Sequence, residues 1–157
     1  MASNDSSTQQ DFRPDTRSLI DRAQRYCATA EHCPWDVRQL LTKLGASSGQ
    51  TDEVIGILQK HNYLNTTRYC RAFVHDKSAF QGWGRMKIIM GLRAKHLPDT
   101  AINEAIADMD ETQYATNIRK LIHSKRGQDK QKIIRFMLQR GYTFDDLRQY
   151  ANYETDD

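Results

Sequence analysis

The 157-residue sequence predicts an all-α protein, three tandem three-helix repeats forming an elongated, curved array. Three observations lead there. From Asp15 onward apolar residues recur at helical spacing, with almost no strand-like alternation. Helix-start signals return at short intervals. The apolar pattern itself also repeats. Leu40, Leu41, Leu44, Val54 and Leu58 map 48 residues on to Ile88, Ile89, Leu92, Ile102 and Ile106. A further 45 residues lead to Ile133, Ile134, Met137, Leu147 and Ala151.

Residues 1–14 are small, polar and Gln-rich, and predict a disordered tail. In the first repeat, 15–61, Pro34 after Cys33 opens the second helix and Thr51 before Asp52-Glu53 signals the third. In the second repeat, 62–109, Asn65 caps the leading helix and Pro98 precedes the last. In the third, 110–157, Asp110 precedes Glu111, and Thr143 with Asp146 three residues later makes a capping-box-like pair before an acidic end. Tyr69 and Phe73 map by 45 onto Tyr114 and Ile118, again one helical turn apart. One apolar stripe per helix cannot enclose a core alone, so each stripe must pack on its companions and on the next repeat.

Charge is distributed unevenly. Residues 1–60 carry 7 basic and 8 acidic side chains, 61–141 carry 15 and 7, and 142–157 carry 1 and 5. A basic middle suits a polyanion or an acidic protein face, or is a solvated helix surface. Arg85, Lys87 and Lys95 map by 45 onto Lys130, Lys132 and Arg140, while 48 residues earlier stand Val37, Gln39 and Ser47. The second and third repeats thus share a positive pattern that the first lacks. Arg93 and Arg135 lie on the same helices, and Arg119, Lys120, Lys125 and Arg126 add charge near the end of the third repeat's leading helix. Lys87 should face solvent, whereas Arg85 falls on the apolar stripe and must reach past it.

The stretch QGWGRMK, Gln81 to Lys87, sets a Trp between two glycines at a helix junction. Trp35 lies 48 residues before Trp83, at the corresponding junction, and Gly127 lies 45 after Gly82. Gly82 suits a helix end in a conformation that glycine adopts easily, and Gly84 a close start of the next helix. Trp83 either plugs that corner or offers a face on which a base stacks.

Catalytic and metal readings find no support. Cys27, His32 and Cys33 lack structural-zinc spacing, with His61 and Cys70 on another repeat. Asp108, Asp110 and Glu111 read as a helix end and an N-cap rather than an acid–base pair. Gly82 and Gly84 do not continue as a phosphate-cradling loop. The three unevenly spaced cysteines fit a reducing compartment, and neither a signal-peptide pattern nor a membrane-length apolar run occurs in the sequence, so a soluble cytoplasmic protein is expected.

Three stretches are similar to the RecX family, regulators of the RecA recombinase: WDVRQLLTKLG from Trp35, NYLNTTRYCRAFVHDK from Asn62, and GWGRMKIIMGLRAKHLPDTAINEAI from Gly82. The likeness runs from about residue 20 to the end. Asn65 and Thr66 stand where the family usually has two Asp, and His96 where it usually has Gly, at a cost to the helix end. The resemblance implies a monomer of three tandem three-helix repeats that binds RecA and the RecA–DNA filament. It further implies limits on filament growth, ATP hydrolysis and strand exchange, with no cofactor and no catalysis. The basic residues would then meet recombinase, single- or double-stranded DNA, or both. An autonomous nucleic-acid-binding module using the same charges is the alternative.

Overall fold

The structure, a computed structural model, describes residues 13–153. Most of the expected tail, and residues 154–157 of the acidic end, lie outside that range. The described residues are all-helical, without strands: α1 (Thr16–Thr29), α2 (Pro34–Lys43), α3 (Ser48–Lys60), α4 (Thr66–His75), α5 (Arg85–Ala94), α6 (Asp99–Ala107), α7 (Glu111–Ser124), α8 (Lys130–Gln139) and α9 (Phe144–Ala151). A π-helical turn, Asp76–Phe80, prolongs α4. The chain forms two compact units that divide between Leu64 and Asn65.

In the first unit α1, α2 and α3 pack on one another around Leu19, Ala23, Val37, Leu41, Val54, Ile55, Leu58 and Leu64. Burying a side chain such as Leu41 or Leu58 completely contributes about 1.5–3 kcal/mol. The start of α3 differs from the expected Thr51. Ser47 caps it, its hydroxyl accepting from the Gln50 N–H at 3.1 Å while Gln50 returns Oε1 to the Ser47 N–H at 3.0 Å. Thr51 instead lies on the buried face. Gln50 also donates to the Pro14 carbonyl at 2.7 Å, tying down the entry to α1.

The second unit holds α4–α9. Tyr69, Cys70, Val74, Ile88, Leu92, Ile102 and Ala105 are buried where α4, α5 and α6 meet. Tyr114, Ile118, Ile133, Ile134, Met137, Tyr142 and Leu147 form the core of α7–α9. Asn65, Asp110 and Thr143 cap their helices as predicted, each accepting from the backbone N–H three residues on.

The 45-residue spacing holds, but the first spacing is 51 rather than 48. The N-caps Cys33, Gly84 and Asp129 set that register for the middle helices, as do Ser47, Pro98 and Thr143 for the last ones. Val37 and Leu41 then correspond to Ile88 and Leu92 and to Ile133 and Met137, all buried. A slip of three residues is nearly one helical turn, so adjacent aliphatic pairs fit either register and only the caps discriminate. In the correct register Trp35 lies inside the first turn of α2, opposite Met86 rather than Trp83. The counterparts of Arg85, Lys87 and Lys95 become Pro34, Asp36 and Leu44, so the first repeat still lacks the positive pattern.

That register also aligns the residues that end the middle helices with positive φ: Gly45 at 84°, His96 at 57° and Gly141 at 97°. His96 thus occupies the left-handed position that its two counterparts fill with glycine.

Candidate functional site

The π-helical turn after α4 closes with the Gln81 N–H donating to the Asp76 carbonyl at 3.2 Å. Gly82 follows at φ 66°, and the Trp83 N–H returns to the Lys77 carbonyl at 2.8 Å. The Trp83 ring meets Phe73 edge-on at 6.3 Å and lies over α5 at Gly91. A β-carbon at Gly91 would come within 2.9 Å of Phe73 Cζ and 3.6 Å of Trp83 Cζ3, so glycine there admits both rings. Lys87 Nζ stands 4.4 Å and Lys77 Nζ 4.8 Å from the Trp83 ring centre. Trp83 is the corner plug; its partners are already in place.

Gly84 has a different task from the predicted close helix start. Its N–H donates to the Arg140 carbonyl at 2.7 Å, and the Met86 N–H to the Gly141 carbonyl at 3.1 Å. A β-carbon at Gly84 would lie 2.2 Å from the Gly141 carbonyl carbon, and one at Gly141 would lie 2.5 Å from Lys87 N. Arg140 donates from Nε to the Gly82 carbonyl at 3.2 Å and from Nη2 to the Gln81 carbonyl; the Tyr142 hydroxyl donates to Gly82 O at 2.9 Å. The α4–α5 and α8–α9 corners are thereby sewn together, backbone to backbone.

Arg85 completes this joint instead of reaching past the apolar stripe to a partner surface. Its backbone N–H donates to the Tyr114 hydroxyl at 3.1 Å, and that hydroxyl donates to Asp146 Oδ2, also at 3.1 Å. Its guanidinium pairs with Glu111, lies 3.7 Å from Asp146 Oδ1 and sits 4.0 Å over the Tyr114 ring centre. Tyr150 donates to the second Glu111 oxygen at 2.5 Å. Burial acts to lower the Arg85 pKa. The hydrogen bond to Glu111 and the nearby Tyr114, Glu111 and Asp146 outweigh it, holding the value above the ordinary one. The Arg85 hydrogen bond, helped by that from Tyr150, holds the Glu111 carboxyl below its usual value. Burial pushes the Tyr114 hydroxyl up and the Tyr142 hydroxyl to about 12. The capping pair at Thr143 and Asp146 was legible; that Asp146 also anchors Tyr114 and Arg85 required the fold.

The remaining predicted cations fall into separate groups. Arg119 and Arg126 line a groove of about 430 Å³ with His123 and Tyr153, between α7 and the end of α9. The Arg119 Nε donates to the Tyr150 carbonyl at 3.0 Å, and Arg126 Nη1 to the His123 carbonyl at 3.2 Å. Lys130 lies in the adjoining groove, its Nζ 5.8 Å from the Tyr153 ring centre, while Lys125 Nζ rests 4.5 Å over Phe136. Arg93 pairs with Asp99 at 3.3 Å, and Lys95 is half-buried at the end of α5. Lys120, Lys132 and Arg135 are exposed and have no ion-pair partner among the described residues. Lys120 and Arg140 share a further cleft of about 270 Å³ with Phe80, Gln81 and Gly82. Phe80 is 77% exposed, a large aromatic that the sequence reading passed over. Its position in the π turn, which no local pattern announces, is what leaves it uncovered.

Among the described residues no three His, Cys, Asp or Glu side chains converge to hold a metal, and no helix is long and apolar enough to cross a membrane. A family profile described as "RecX, second three-helix domain" matches residues 67–106. The chain is 28% identical over 153 residues to regulatory protein RecX of Salmonella heidelberg (strain SL476), covering 87% of this chain and 92% of that one. It is 27% identical over 139 residues to the protein of that name from Prosthecochloris aestuarii, covering 86% and 92%. A crystal structure of RecX from Lactobacillus salivarius matches with a TM-score of 0.75 at 16% identity, over 87% of this chain and 94% of that one. A second RecX crystal structure matches at TM-score 0.77 and 15% identity, over 88% and 73%.

Proposed function

Because the chain belongs to the RecX family of regulatory proteins, we propose that it binds the RecA recombinase and its filament on DNA, limiting filament extension, ATP hydrolysis and strand exchange. The observation that carries this reading is the likeness to proteins named regulatory protein RecX, over 87% of the chain. The second unit supports it by presenting cations that its own fold does not consume, led by Lys120, Lys132 and Arg135, with Arg119, Lys125, Arg126 and Lys130 beside the grooves of α7–α9. Such a surface attracts acidic recombinase and phosphate alike. The protein acts here by binding, in the cytoplasm, with no catalytic step of its own.

The test is the rate of single-stranded-DNA-dependent ATP hydrolysis by the cognate recombinase with substoichiometric amounts of this protein. A clear drop is expected; an unchanged rate would remove the reading. The unpaired cations also favour a second reading, an autonomous nucleic-acid binder. It would show itself as steeply salt-dependent affinity for naked DNA without any effect on the recombinase.

A further inference from the structure

We propose that the cleft beside the π-helical turn is a nucleotide subsite, which takes one unit of a single-stranded nucleic acid with its base on Phe80 and its phosphate between Lys120 and Arg140. The inference deepens the proposed function and rests on its reading of the second unit's cations as a contact surface.

Phe80 carries the first part. It is the last residue of the π turn and 77% exposed, and its one ring contact in the structure is edge-on to His75 at 5.6 Å. An uncovered phenyl ring of this kind costs apolar hydration in the free protein and offers a face on which any base can stack. Trp83, the aromatic that the sequence suggested, is already occupied by Phe73, Lys77 and Lys87.

The cations carry the second part. Arg140 is fixed by Nε on the Gly82 carbonyl and Nη2 on the Gln81 carbonyl, the two residues that follow Phe80. Its Nη1 is left without a hydrogen bond among the described residues, so the guanidinium is held in place with a donor to spare. Lys120 lines the same cleft from α7 with no protein partner among the described residues. The floor is rigid, since the Asn117 amide donates to the Ser78 carbonyl at 3.0 Å and fastens the π turn to α7. The nearest carboxylate in the turn, Asp76, is engaged by Lys77 at 3.7 Å and by the Gln81 amide at 3.3 Å. One aromatic face next to two donors of positive charge matches the repeat unit of a single strand. A duplex hides its base faces, and an acidic peptide supplies no flat partner for Phe80.

The test measures binding of fluorescein-labelled oligo(dT) by anisotropy over a salt series, for the full chain and for Phe80→Ala, Phe80→Tyr and Lys120→Ala. Both positions are exposed, so unchanged thermal unfolding should accompany each change. Phe80→Ala is expected to weaken binding about tenfold with an unaltered salt slope, and Phe80→Tyr to keep it. Lys120→Ala should weaken binding and flatten the slope of log K against log salt by roughly 0.7. Wild-type affinity in both alanine variants, or no oligo(dT) binding by the unaltered chain, overturns the subsite. Should the variants lose recombinase inhibition yet bind oligo(dT) normally, the cleft holds an acidic segment of the partner. The strand proposal then falls while the regulatory reading stands. The expected binding pattern with no effect on recombinase ATP hydrolysis would sustain the subsite and remove the regulatory reading instead.

Discussion

Gly84 and Gly141 meet backbone to backbone, so closely that a β-carbon on Gly84 would sit 2.2 Å from the Gly141 carbonyl carbon. Their separation in sequence is most of two repeats, yet the amides of Gly84 and Met86 and the carbonyls of Arg140 and Gly141 pair as neighbours. This contact turns two helix triplets into one body. It also answers why a Trp stands between glycines at Gln81–Lys87. Gly82 supplies a left-handed turn, Trp83 covers the corner, and Gly84 is bare so that another backbone can reach it.

Gly84→Ala should therefore cost more than an ordinary surface change, although φ at this residue is −78° and an alanine is conformationally acceptable. The clash is with backbone, which cannot turn aside as a side chain can. Urea unfolding should show a loss of about 1–3 kcal/mol, as for overpacked sites. Gly127→Ala, with no atom within 4 Å of its β-carbon but φ 88°, provides the comparison in which strain alone acts. A Gly84→Ala protein as stable as the unaltered chain would disprove the joint.

The Arg85–Glu111–Tyr150 arrangement gives the joint a dependence on acid. Glu111 has a lowered carboxyl pKa, chiefly through its hydrogen bond from Arg85. Its contribution to stability is present above the unfolded value, near 4.5, and fades as pH falls through the lower folded one. At the other extreme Tyr142 is raised to about 12 from 10.0, so its contribution is whole below pH 10 and disappears as pH climbs towards 12. Chemical denaturation at a series of pH values should show both slopes. Glu111→Gln should flatten the acid limb and Tyr142→Phe the alkaline one.

Much of this architecture was readable in advance, because the signals were local. Pro34, Asn65, Asp110 and Thr143 mark helix starts through chemistry that acts within one turn, and each marks one in the structure. Ser47 with Gln50 was equally legible as a capping box but was passed over for Thr51, whose side chain is buried. The 51-residue register was hidden because a slip of three residues keeps an aliphatic stripe on almost the same face. The basic surface was legible in composition but not in arrangement. Arg85 looks like Lys132 in sequence; only the fold puts Glu111, Asp146 and Tyr114 around the one and none of them around the other. The joint and the exposure of Phe80 depend on contacts between distant segments and on a π turn, which no local pattern encodes.

His96→Gly should stabilise the first half of the second unit. The residue sits at φ 57°, where a β-carbon costs about 1–2 kcal/mol, while the matching positions are Gly45 and Gly141. A gain of about 1 kcal/mol in urea unfolding is expected, with helicity unchanged. No gain would mean that the imidazole's own contacts offset the backbone strain.

Trp83→Ala should act on stability rather than on ligand binding. The ring fills the corner between Phe73 and Gly91 and carries Lys77 and Lys87. Removing a half-buried Trp leaves a cavity whose cost lies toward the lower end of the 3–5 kcal/mol seen for large aromatic truncations, roughly 3 kcal/mol. Trp83→Phe should recover part of that loss. Where the alanine variant is still folded, its affinity for DNA or recombinase filament should be within about twofold of the original, since a twofold change is under 0.5 kcal/mol. A selective loss of binding in the stable Phe variant would return Trp83 to the recognition surface.

Charge reversal separates the free cations from those that hold the fold. Lys87 and Arg140 are poor probes of binding: the first packs on Trp83 and against Gly141, and the second secures Gly82 and Gln81, so reversal at either damages the joint. Lys120, Lys132 and Arg135 are exposed and engaged in no ion pair among the described residues. Their triple change to Glu should leave the circular dichroism spectrum and unfolding midpoint nearly untouched. It should weaken association with the recombinase filament by at least tenfold at low salt, since three repulsive charges replace three attractive ones, and by less as salt screens them. Arg140→Glu alone should show the reverse, a lower unfolding midpoint before any effect on binding. Equal binding by the triple variant at low salt would mean that the basic residues of α7 and α8 are a solvated face and that the partner docks elsewhere.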